Sequence, residues 1–215
     1  MTPYGPFKDM QEFASSPLLQ PLSDGVRFKV LDSESAKTIG MAAILANEPS
    51  CLRAEIGDIW LNPAYKETHA LREVHYLLLG YLFGLGYRRI ESRADAGDPD
   101  ARVSLPASGF LMEGVLRKHM IVKGSNRDTV VFAMLNSDWR DKARVALEKF
   151  LDAEVAPSSK RVQAKAKMRR NIAAATVSSA ESAEAPTKKG QGLGAHATVP
   201  DKGPMILETK DKKNA

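Results

Sequence analysis

The run of residues 54–87, AEIGDIWLNPAYKETHALREVHYLLLGYLFGLGY, most constrains what this chain can fold into. Its first part, residues 54–61, is apolar and rich in Ile, which is typical of a buried strand. After a loop at Asn62-Pro63, apolar residues recur at alternating spacings of three and four, which predicts a helix that ends at the glycines of residues 84–86. One face of this helix should lie against a sheet, and its residues are Leu71, Val74, Leu78, Tyr81 and Leu85.

The junction between this strand and this helix is a candidate anion site. The first N–H groups of a helix have no partner within it, and the helix dipole places partial positive charge at the same end. Thr68 is the predicted N-cap, and Glu73 falls in the early turns. Every strand–loop–helix unit has such a junction, so an empty connection capped by Thr68 fits the pattern equally well.

Other periodic segments predict one α/β domain over residues 25–155, preceded by a short N-terminal segment, residues 1–24. Alternating apolar residues predict strands at 26–31, 38–45 and 88–93, and a long hairpin of 112–122 with 129–135. Helices are predicted at 7–15, 98–105 and 138–152, the last with Trp139, Val145, Leu147 and Phe150 as its apolar residues.

The helix predicted at 98–105 has a start signal and a stop signal. Asp98 is the expected N-cap, and Pro99 is the expected first helical residue. Pro106 should end the helix after two turns, because a proline ring clashes with the preceding turn and removes a hydrogen bond.

Charge is distributed unevenly along the chain. The formal net charge is +5, but residues 156–215 hold 12 Lys or Arg against 5 Asp or Glu, which leaves 19 basic and 21 acidic side chains in residues 1–155. The folded part is therefore not a basic nucleic-acid-binding body. Residues 156–215 lack aromatic side chains, which predicts a basic, disordered tail. Its Lys and Arg suit a solvated linker or an arm that contacts the ribosome or nucleic acid.

Cysteine, apolar runs and histidine spacing exclude several classes of protein. Cys51 has no partner for an internal disulfide, which suits a reducing compartment, and we expect a cytoplasmic protein. The longest apolar run, residues 76–85, is far shorter than the roughly 20 residues of a membrane span. The four histidines show no metal-ligand spacing, and His75 should lie on the flank of its helix, so no metal site is expected.

A set of short motifs over residues 37–139 resembles one family. The motifs keep their order and spacing, and they are Glu55-Ile56-Gly57, Asn62-Pro63, Thr68, Glu73, Tyr76-Leu77-Leu78, Leu85-Gly86-Tyr87-Arg88-Arg89, Gly109-Phe110, Glu113-Gly114-Val115, Arg117, His119, Lys123-Gly124 and Asn126-Arg127-Asp128-Thr129. This pattern is similar to the GNAT superfamily of acyl-CoA-dependent N-acyltransferases, and within it to the RimJ/RimL-like branch. The resemblance implies an α/β (α+β) fold with a mixed, mostly antiparallel sheet of about six strands. Helices should lie on both faces, and the central strands should splay apart.

The resemblance also implies a site for acetyl-CoA. Its pyrophosphate would lie on the loop before the long helix, and Trp60 and Leu61 would pair with the pantetheine amides through their main chain. The loop residues carried over are Lys66, Glu67, Thr68, His69 and Ala70. Glu67 and His69 stand where the family has glycines, and a carboxylate at Glu67 must point away from a phosphate. The alternative for His69 is an exposed histidine in the first turn.

Two residues are the catalytic candidates that the resemblance implies. Glu55 would accept the proton of the acceptor amine, directly or through a water, and burial would raise its pKa toward a useful range. The competing interpretation is a structural Glu55 paired with Arg53 or a neighbouring arginine. Asp98 and Ala101 occupy the positions where the branch has Asn and Ser near the cofactor thiol. Ala101 has no hydroxyl, so Ser104 or a water would protonate the leaving thiolate.

These implications favour an N-acetyltransferase that moves acetyl from acetyl-CoA to an amine by direct attack in a ternary complex. The acceptor would be a small molecule, for example in a biosynthetic pathway, or a protein N-terminus. The alternative is a weakened or inactive GNAT-fold protein with a binding or structural role, since Asp98, Ala101 and Pro106 depart from the pattern.

Overall fold

The computed structural model describes residues 4–65 and 69–154, together with the main chain of residues 206–209. The strands are β1 (Val26–Asp32), β2 (Thr38–Glu48), β3 (Arg53–Leu61), β4 (Arg89–Asp95), β5 (Leu111–Val122), β6 (Ser125–Leu135) and β7 (Ile206–Thr209). The helices are α1 (Met10–Ala14), α2 (Ala70–Gly84), α3 (Pro99–Ala107), α4 (Asn136–Asp138) and α5 (Arg144–Glu154), with a π-helical stretch, Trp139–Ala143, between α4 and α5.

All strands belong to one mixed sheet in the order β5-β6-β4-β3-β2-β1-β7. Among β1 to β6, every neighbouring pair is antiparallel except β3 and β4. The parallel pair needs a crossover, which α2 supplies. This confirms the predicted α/β sheet of about six mostly antiparallel strands. β7 adds a parallel partner to β1 from a part of the chain where no regular structure was predicted. The rest of the predicted disordered tail lies outside the described residues.

The buried face of α2 differs in part from the predicted face. Val74 and Leu78 are buried as expected, with 0% and 1% of their surface exposed. Leu71, Tyr81 and Leu85 are only half-buried and border the core. The centre of the buried face is therefore rotated away from the predicted stripe.

A second layer of helix explains this rotation, because it covers α2 on the side away from the sheet. The indole of Trp139 stacks on Phe83 at 5.8 Å and lies 5.8 Å from the ring of Tyr76. The Tyr76 hydroxyl donates a hydrogen bond to Glu148 at 2.8 Å. Helix α2 is thus enclosed between the sheet and α5. The periodic pattern in the sequence predicted only one buried face, the one toward the sheet.

The ends of α2 follow the predicted chemistry with a small shift. The N-cap position is held by His69, without a side-chain capping bond. The predicted cap Thr68 and its neighbours Lys66 and Glu67 lie outside the described residues. The helix ends at Gly84, and Gly86 adopts a positive φ of +89°, the left-handed conformation that glycine tolerates best.

Helix α3 continues through Pro106 to Ala107, so the predicted end at residue 105 was wrong by two residues. Its start was predicted correctly, with Asp98 as N-cap and Pro99 as first residue. Pro106 is tolerated because it lies in the last turn, where its missing N–H removes a bond at the helix end rather than in the interior. The amide of Ser108 still donates to a carbonyl of α3.

The predicted apolar face of the last helix is correct at Trp139 and Leu147, which are buried, and at Phe150, which is half-buried. Val145 does not share this buried face and is 43% exposed. The reason is the π-helical stretch, which inserts an extra residue into the turn and rotates the residues that follow.

Within residues 4–65 and 69–154, no helix is long and apolar enough to cross a membrane. The same part of the chain holds no group of three His, Cys, Asp or Glu side chains that is arranged to bind a metal ion.

Candidate functional site

Strands β3 and β4 are paired only at their beginnings. The register joins Arg53 to Arg89, Ala54 to Ile90 and Glu55 to Glu91, and there it stops. Both strands continue, β3 to Leu61 and β4 to Asp95. Their other edges stay paired along this length, β3 with β2 and β4 with β6. The sheet therefore opens at its centre, as the resemblance implied, with Glu55 and Glu91 at the point of separation.

A β-bulge in β3 contributes to this opening. Met41 of β2 is opposite Trp60, but Ala43 is opposite Gly57, so β3 carries one more residue than β2 over this interval. Asp58 lies in the bulge with a positive φ of +47°. Its carboxylate is 3.3 Å from Arg27 of β1. A bulge bends its strand and strengthens its twist, which turns the end of β3 away from β4.

The N-terminus of α2 lies at the open end of this strand pair. Residues 62–69 connect the end of β3 to α2, and the helix then returns the chain to the start of the parallel strand β4. The helix dipole and the first amide groups of α2 therefore favour an anion at the edge where β3 and β4 separate. The predicted loop residues Lys66, Glu67 and Thr68 belong to this connection but lie outside the described residues.

His69 and Ala70 begin α2 at this edge. The His69 side chain is 8% exposed, and its Nε2 lies 3.8 Å from a carboxylate oxygen of Glu73. The alternative of an exposed first-turn histidine is therefore wrong, because the ring packs against its own helix. Ala70 is fully buried.

Leu61, rather than Trp60, presents its main chain to the opening. The carbonyl oxygen of Trp60 lies against Gly40 of β2, and the amide of Asn62 donates to Ile39 of β2 at 2.7 Å. Because alternate residues of a strand direct their N–H and C=O groups to opposite sides, Leu61 points its own groups toward β4. The Trp60 side chain is 59% exposed.

Gly57 leaves room beside Glu55. A Cβ atom placed on Gly57 would lie 2.8 Å from Leu45 Cδ1 and 3.5 Å from Glu55 Oε1. Any larger side chain here would meet Leu45 and stand over the Glu55 carboxylate. The space at the point of separation thus depends on a glycine in β3.

Glu55 is a largely buried carboxylate with an arginine partner. Its side chain is 12% exposed, and Oε2 lies 3.2 Å from Arg93 Nη1. Burial raises the pKa of Glu55, and the charges of Glu91 and Asp58 act in the same direction, whereas Arg93 and Arg53 lower it. The carboxylate therefore combines a raised pKa with a fixed position, and the ion pair is with Arg93 rather than Arg53.

Helix α3 follows β4 and carries the other predicted residues. Asp98 Oδ1 accepts hydrogen bonds from the amides of Asp100 and Ala101 at 3.0 and 3.2 Å, so this carboxylate caps its own helix. Ala101 packs against the core. Ser104 is half-buried, and its carbonyl accepts bonds from the amide and hydroxyl of Ser108.

Sequence reasoning missed Glu91 and Arg93. The side chain of Glu91 is 10% exposed, and its two carboxylate oxygens form ion pairs with Arg89 and Arg93, each at 2.9 Å. A signal for both was present, since strand alternation places residues 89, 91 and 93 of the predicted strand 88–93 on one face.

His75 is a buried polar residue outside this opening, not a residue on the flank of its helix. It is 1% exposed, and its Nδ1 lies 2.8 Å from the Ser108 hydroxyl. That hydroxyl donates to the Ser104 carbonyl, so Nδ1 carries the proton and donates to Ser108. Burial lowers the pKa of His75 to about 4.

Solved structures of known proteins share this fold. A GCN5-related N-acetyltransferase from Brucella melitensis aligns with 35% identity over 63% of this chain and 62% of that chain, with a TM-score of 0.59. A protein from Chromobacterium violaceum, described as a probable acetyltransferase of the GNAT family, aligns with 35% identity over 64% of this chain and 70% of that chain, with a TM-score of 0.60.

A third structure, a spermidine N-acetyltransferase variant from Vibrio cholerae, aligns with 22% identity over 56% of this chain and 71% of that chain, and its TM-score of 0.52 indicates a shared fold alone. No family model and no curated protein matches the chain. The alignment with the Chromobacterium protein shows the family, and the chain belongs to the GNAT family of N-acetyltransferases. It spans less than two thirds of the length of the Brucella protein.

Proposed function

We propose that this protein is an N-acetyltransferase that transfers acetyl from acetyl-CoA to an amine by direct attack in a ternary complex. The observation that carries the proposal is the separation of β3 and β4 after Glu55 and Glu91, next to the N-terminus of α2. A sheet edge left unpaired at its centre has main-chain groups that need a partner. An extended amide-bearing ligand is such a partner.

The residues present fit acetyl-CoA at three points. Leu61 directs its main chain into the opening and can pair with the pantetheine amides. The start of α2, at His69 and Ala70, favours the pyrophosphate by its dipole. Gly57 leaves the space at the point of separation that a side chain would fill. When bound, acetyl-CoA supplies an activated acetyl group as a thioester.

Glu55 is the proposed proton acceptor. An amine must lose its proton to attack a carbonyl carbon, and the buried carboxylate at the point of separation has a raised pKa suited to take that proton, directly or through a water. The new N–C bond forms as the C–S bond breaks, and the thiolate then takes a proton. Ser104 of α3 is the proposed donor of that proton, with a water as the alternative.

For the acceptor, we propose a chemical class rather than a particular compound. We propose a small-molecule amine, for example an intermediate of a biosynthetic pathway, or a protein N-terminus, and a relationship to the RimJ/RimL-like branch. We also propose a cytoplasmic location, because the sequence has a single cysteine.

A second candidate is a GNAT-fold protein with weakened or lost turnover. Three observations favour it. A carboxylate oxygen of Asp98 caps α3, and Ala101 has no hydroxyl. His69 stands where the family has a glycine, and its ring lies against Glu73. These residues remove groups that would contact the thiol or admit the phosphates, and they leave the sheet intact.

Two measurements separate the candidates. Calorimetry with acetyl-CoA tests binding, and a thiol-release assay with a panel of primary amines and N-terminal peptides tests turnover. Binding with amine-dependent thiol release supports the enzyme. Binding without release for every amine supports the inactive protein, and no heat at millimolar acetyl-CoA overturns the acetyltransferase proposal.

A further inference from the structure

Seven charged side chains form one connected network across β2, β3, β4 and β5, and they are Glu48, Arg53, Glu55, Arg89, Glu91, Arg93 and Glu113. Glu91 is its centre: Arg89 and Arg93 contact its two oxygens at 2.9 Å each, and Arg53 lies 3.8 Å away. The network spans the point where β3 and β4 separate. Its ion pairs join β2 to β3, β3 to β4 and, across β6, β4 to β5, and Arg93 lies where the pairing of β3 with β4 has ended.

Arg93 bridges two carboxylates at that point. Glu55 and Glu91 are opposite one another in the last pair of the β3–β4 register, so two like charges stand side by side. Arg93 follows Glu91 by two residues on the same face of β4, beyond the last pair, and its Nη1 and Nη2 atoms reach Glu55 at 3.2 Å and Glu91 at 2.9 Å. Its side chain is 37% exposed, which places it at the open part of the strand pair.

We propose that Arg93 is a positioning residue for acetyl transfer: anchored on Glu91, its guanidinium holds the Glu55 carboxylate ionised and fixed at the opening of the sheet. This inference rests on the proposed function, because it requires that Glu55 is the proton acceptor. Without Arg93, repulsion from Glu91 and burial would both favour the protonated, inactive form of Glu55.

Other charged groups facing Glu55 do not replace Arg93. Asp58 of β3 is a second like charge, and it is paired with Arg27. Arg53 lowers the pKa of Glu55 less than Arg93 does, and it forms a 2.5 Å ion pair with Glu48. Removal of Arg93 therefore leaves Glu55 with two carboxylates and an arginine, Arg53, that is already paired with Glu48.

The test compares R93Q and R93K with the unchanged full-length protein. Two quantities are measured in each: the pH dependence of kcat/KM for thiol release, and the pKa of Glu55 from the ¹³C shift of its labelled carboxyl carbon, assigned with E55Q. In R93Q we expect both the acidic limb and the Glu55 titration to move up by about one pH unit. R93K should shift the acidic limb and the Glu55 titration by less than R93Q does. Lysine keeps a positive charge, but its single ammonium group replaces a planar guanidinium that contacts two carboxylates. The control R140Q removes an arginine that is 73% exposed and should leave both unchanged.

The outcomes separate this inference from the proposed function. Equal upward shifts of the titration and the acidic limb, with partial rescue by lysine, support the positioning role. A Glu55 titration that stays in place in R93Q overturns it, whether or not the unchanged protein turns over. A titration that moves while the acidic limb stays also overturns it, because Arg93 then tunes a carboxylate that is not the base. Absence of thiol release from the unchanged protein with every amine overturns the function itself.

Discussion

The two edges of β4 differ although they belong to one strand. Toward β6, the register runs without a break from Arg89 opposite Leu135 to Asp95 opposite Thr129. Toward β3, it ends after Glu91. On the β6 side, strand residues Ile90, Phe132 and Met134 are buried in the core. On the β3 side, the side chains at the last pair are carboxylates.

This difference shows how the fold separates stability from function. A strand edge within a sheet keeps its main-chain groups unpaired only where water or a ligand can satisfy them. The bulge on the β3 side turns the end of β3 away from β4, whereas apolar burial on the β6 side stabilises the sheet. Substitutions on the closed side should therefore change stability, and those on the open side should change binding and turnover.

The largest expected effect is on the closed side. Replacing Phe132, which is 1% exposed, by alanine removes a large core side chain and should lower the free energy of unfolding by about 4 kcal/mol. Denaturant unfolding measures this value. At a temperature where the variant is folded, its affinity for acetyl-CoA should equal that of the unchanged protein. A tenfold loss of affinity in the folded variant would contradict the separation of the two edges.

The next effect is on the open side. Glu55→Gln keeps the shape of the side chain but removes the proton acceptor, so kcat/KM for thiol release should fall by about 100-fold. Acetyl-CoA affinity, measured by calorimetry, should be unchanged, because the amide can still fill the same space. If the variant retains more than half of the activity, Glu55 has only the structural role of an ion-pair partner.

The closed side should also respond to pH through His75. Its imidazole joins α2 to Ser108 and lies 5.5 Å from the ring of Phe110, directly before β5. The pKa of about 4 in the folded protein lies below the unfolded value of about 6.5, so the unfolded state binds the proton first as pH falls. The stability contributed by neutral His75 is fully present above pH 6.5 and is lost as the pH falls toward 4.

Between pH 7 and pH 5, this loss should reach about 2 kcal/mol in the free energy of unfolding. Denaturant unfolding at a series of pH values measures it. His75→Gln should remove this part of the pH dependence, while Ser108→Ala, which keeps the buried ring, should retain it. Equal slopes in the unchanged protein and His75→Gln would show that His75 does not titrate in this range.

Most of the fold was predictable from sequence because strands and helices leave periodic patterns. The hairpin of β1 and β2, the crossover helix α2 and the cap of α3 at Asp98 all follow from local residue types. Errors arose where the structure departs from a regular period. The π-helical stretch turns Val145 to the surface, and Ser108 and Phe110 after α3 cover His75.

Of the charged residues at the point of separation, only Glu55 was predicted from the sequence as a site candidate. Glu55 was found through the resemblance, but its partner depended on a register between strands that are far apart in sequence. Arg53 is two residues away along the chain and was the obvious candidate, yet Arg93 is the partner across the parallel pair. The direction of Leu61 was equally hidden, because it depends on the bulge at Asp58.

A smaller effect on the open side should follow from filling the space at Gly57. Gly57→Val places a side chain against Leu45 and over Glu55, so the Kd for acetyl-CoA should rise about tenfold, or about 1.4 kcal/mol. Gly114→Val is the matched control, because a Cβ at Gly114 of β5 meets no atom within 4 Å. Equal affinities in the two variants would place the ligand elsewhere.

The smallest effect is expected at Trp60, which stands beside the opening but turns its carbonyl to β2. Its side chain is 59% exposed, so Trp60→Ala should change the free energy of unfolding by less than about 0.5 kcal/mol. If the open edge is used through its main chain, acetyl-CoA affinity should also change by less than about twofold, since the side chain can be removed without moving Leu61. A loss of tenfold or more, measured by calorimetry in a variant with unchanged stability, would mean that the indole itself contacts the ligand. The open edge would then bind its ligand through side chains. In that case side-chain contacts would act on both edges of β4, and the two edges would differ only in what is bound there: β6 on one edge and the ligand on the other.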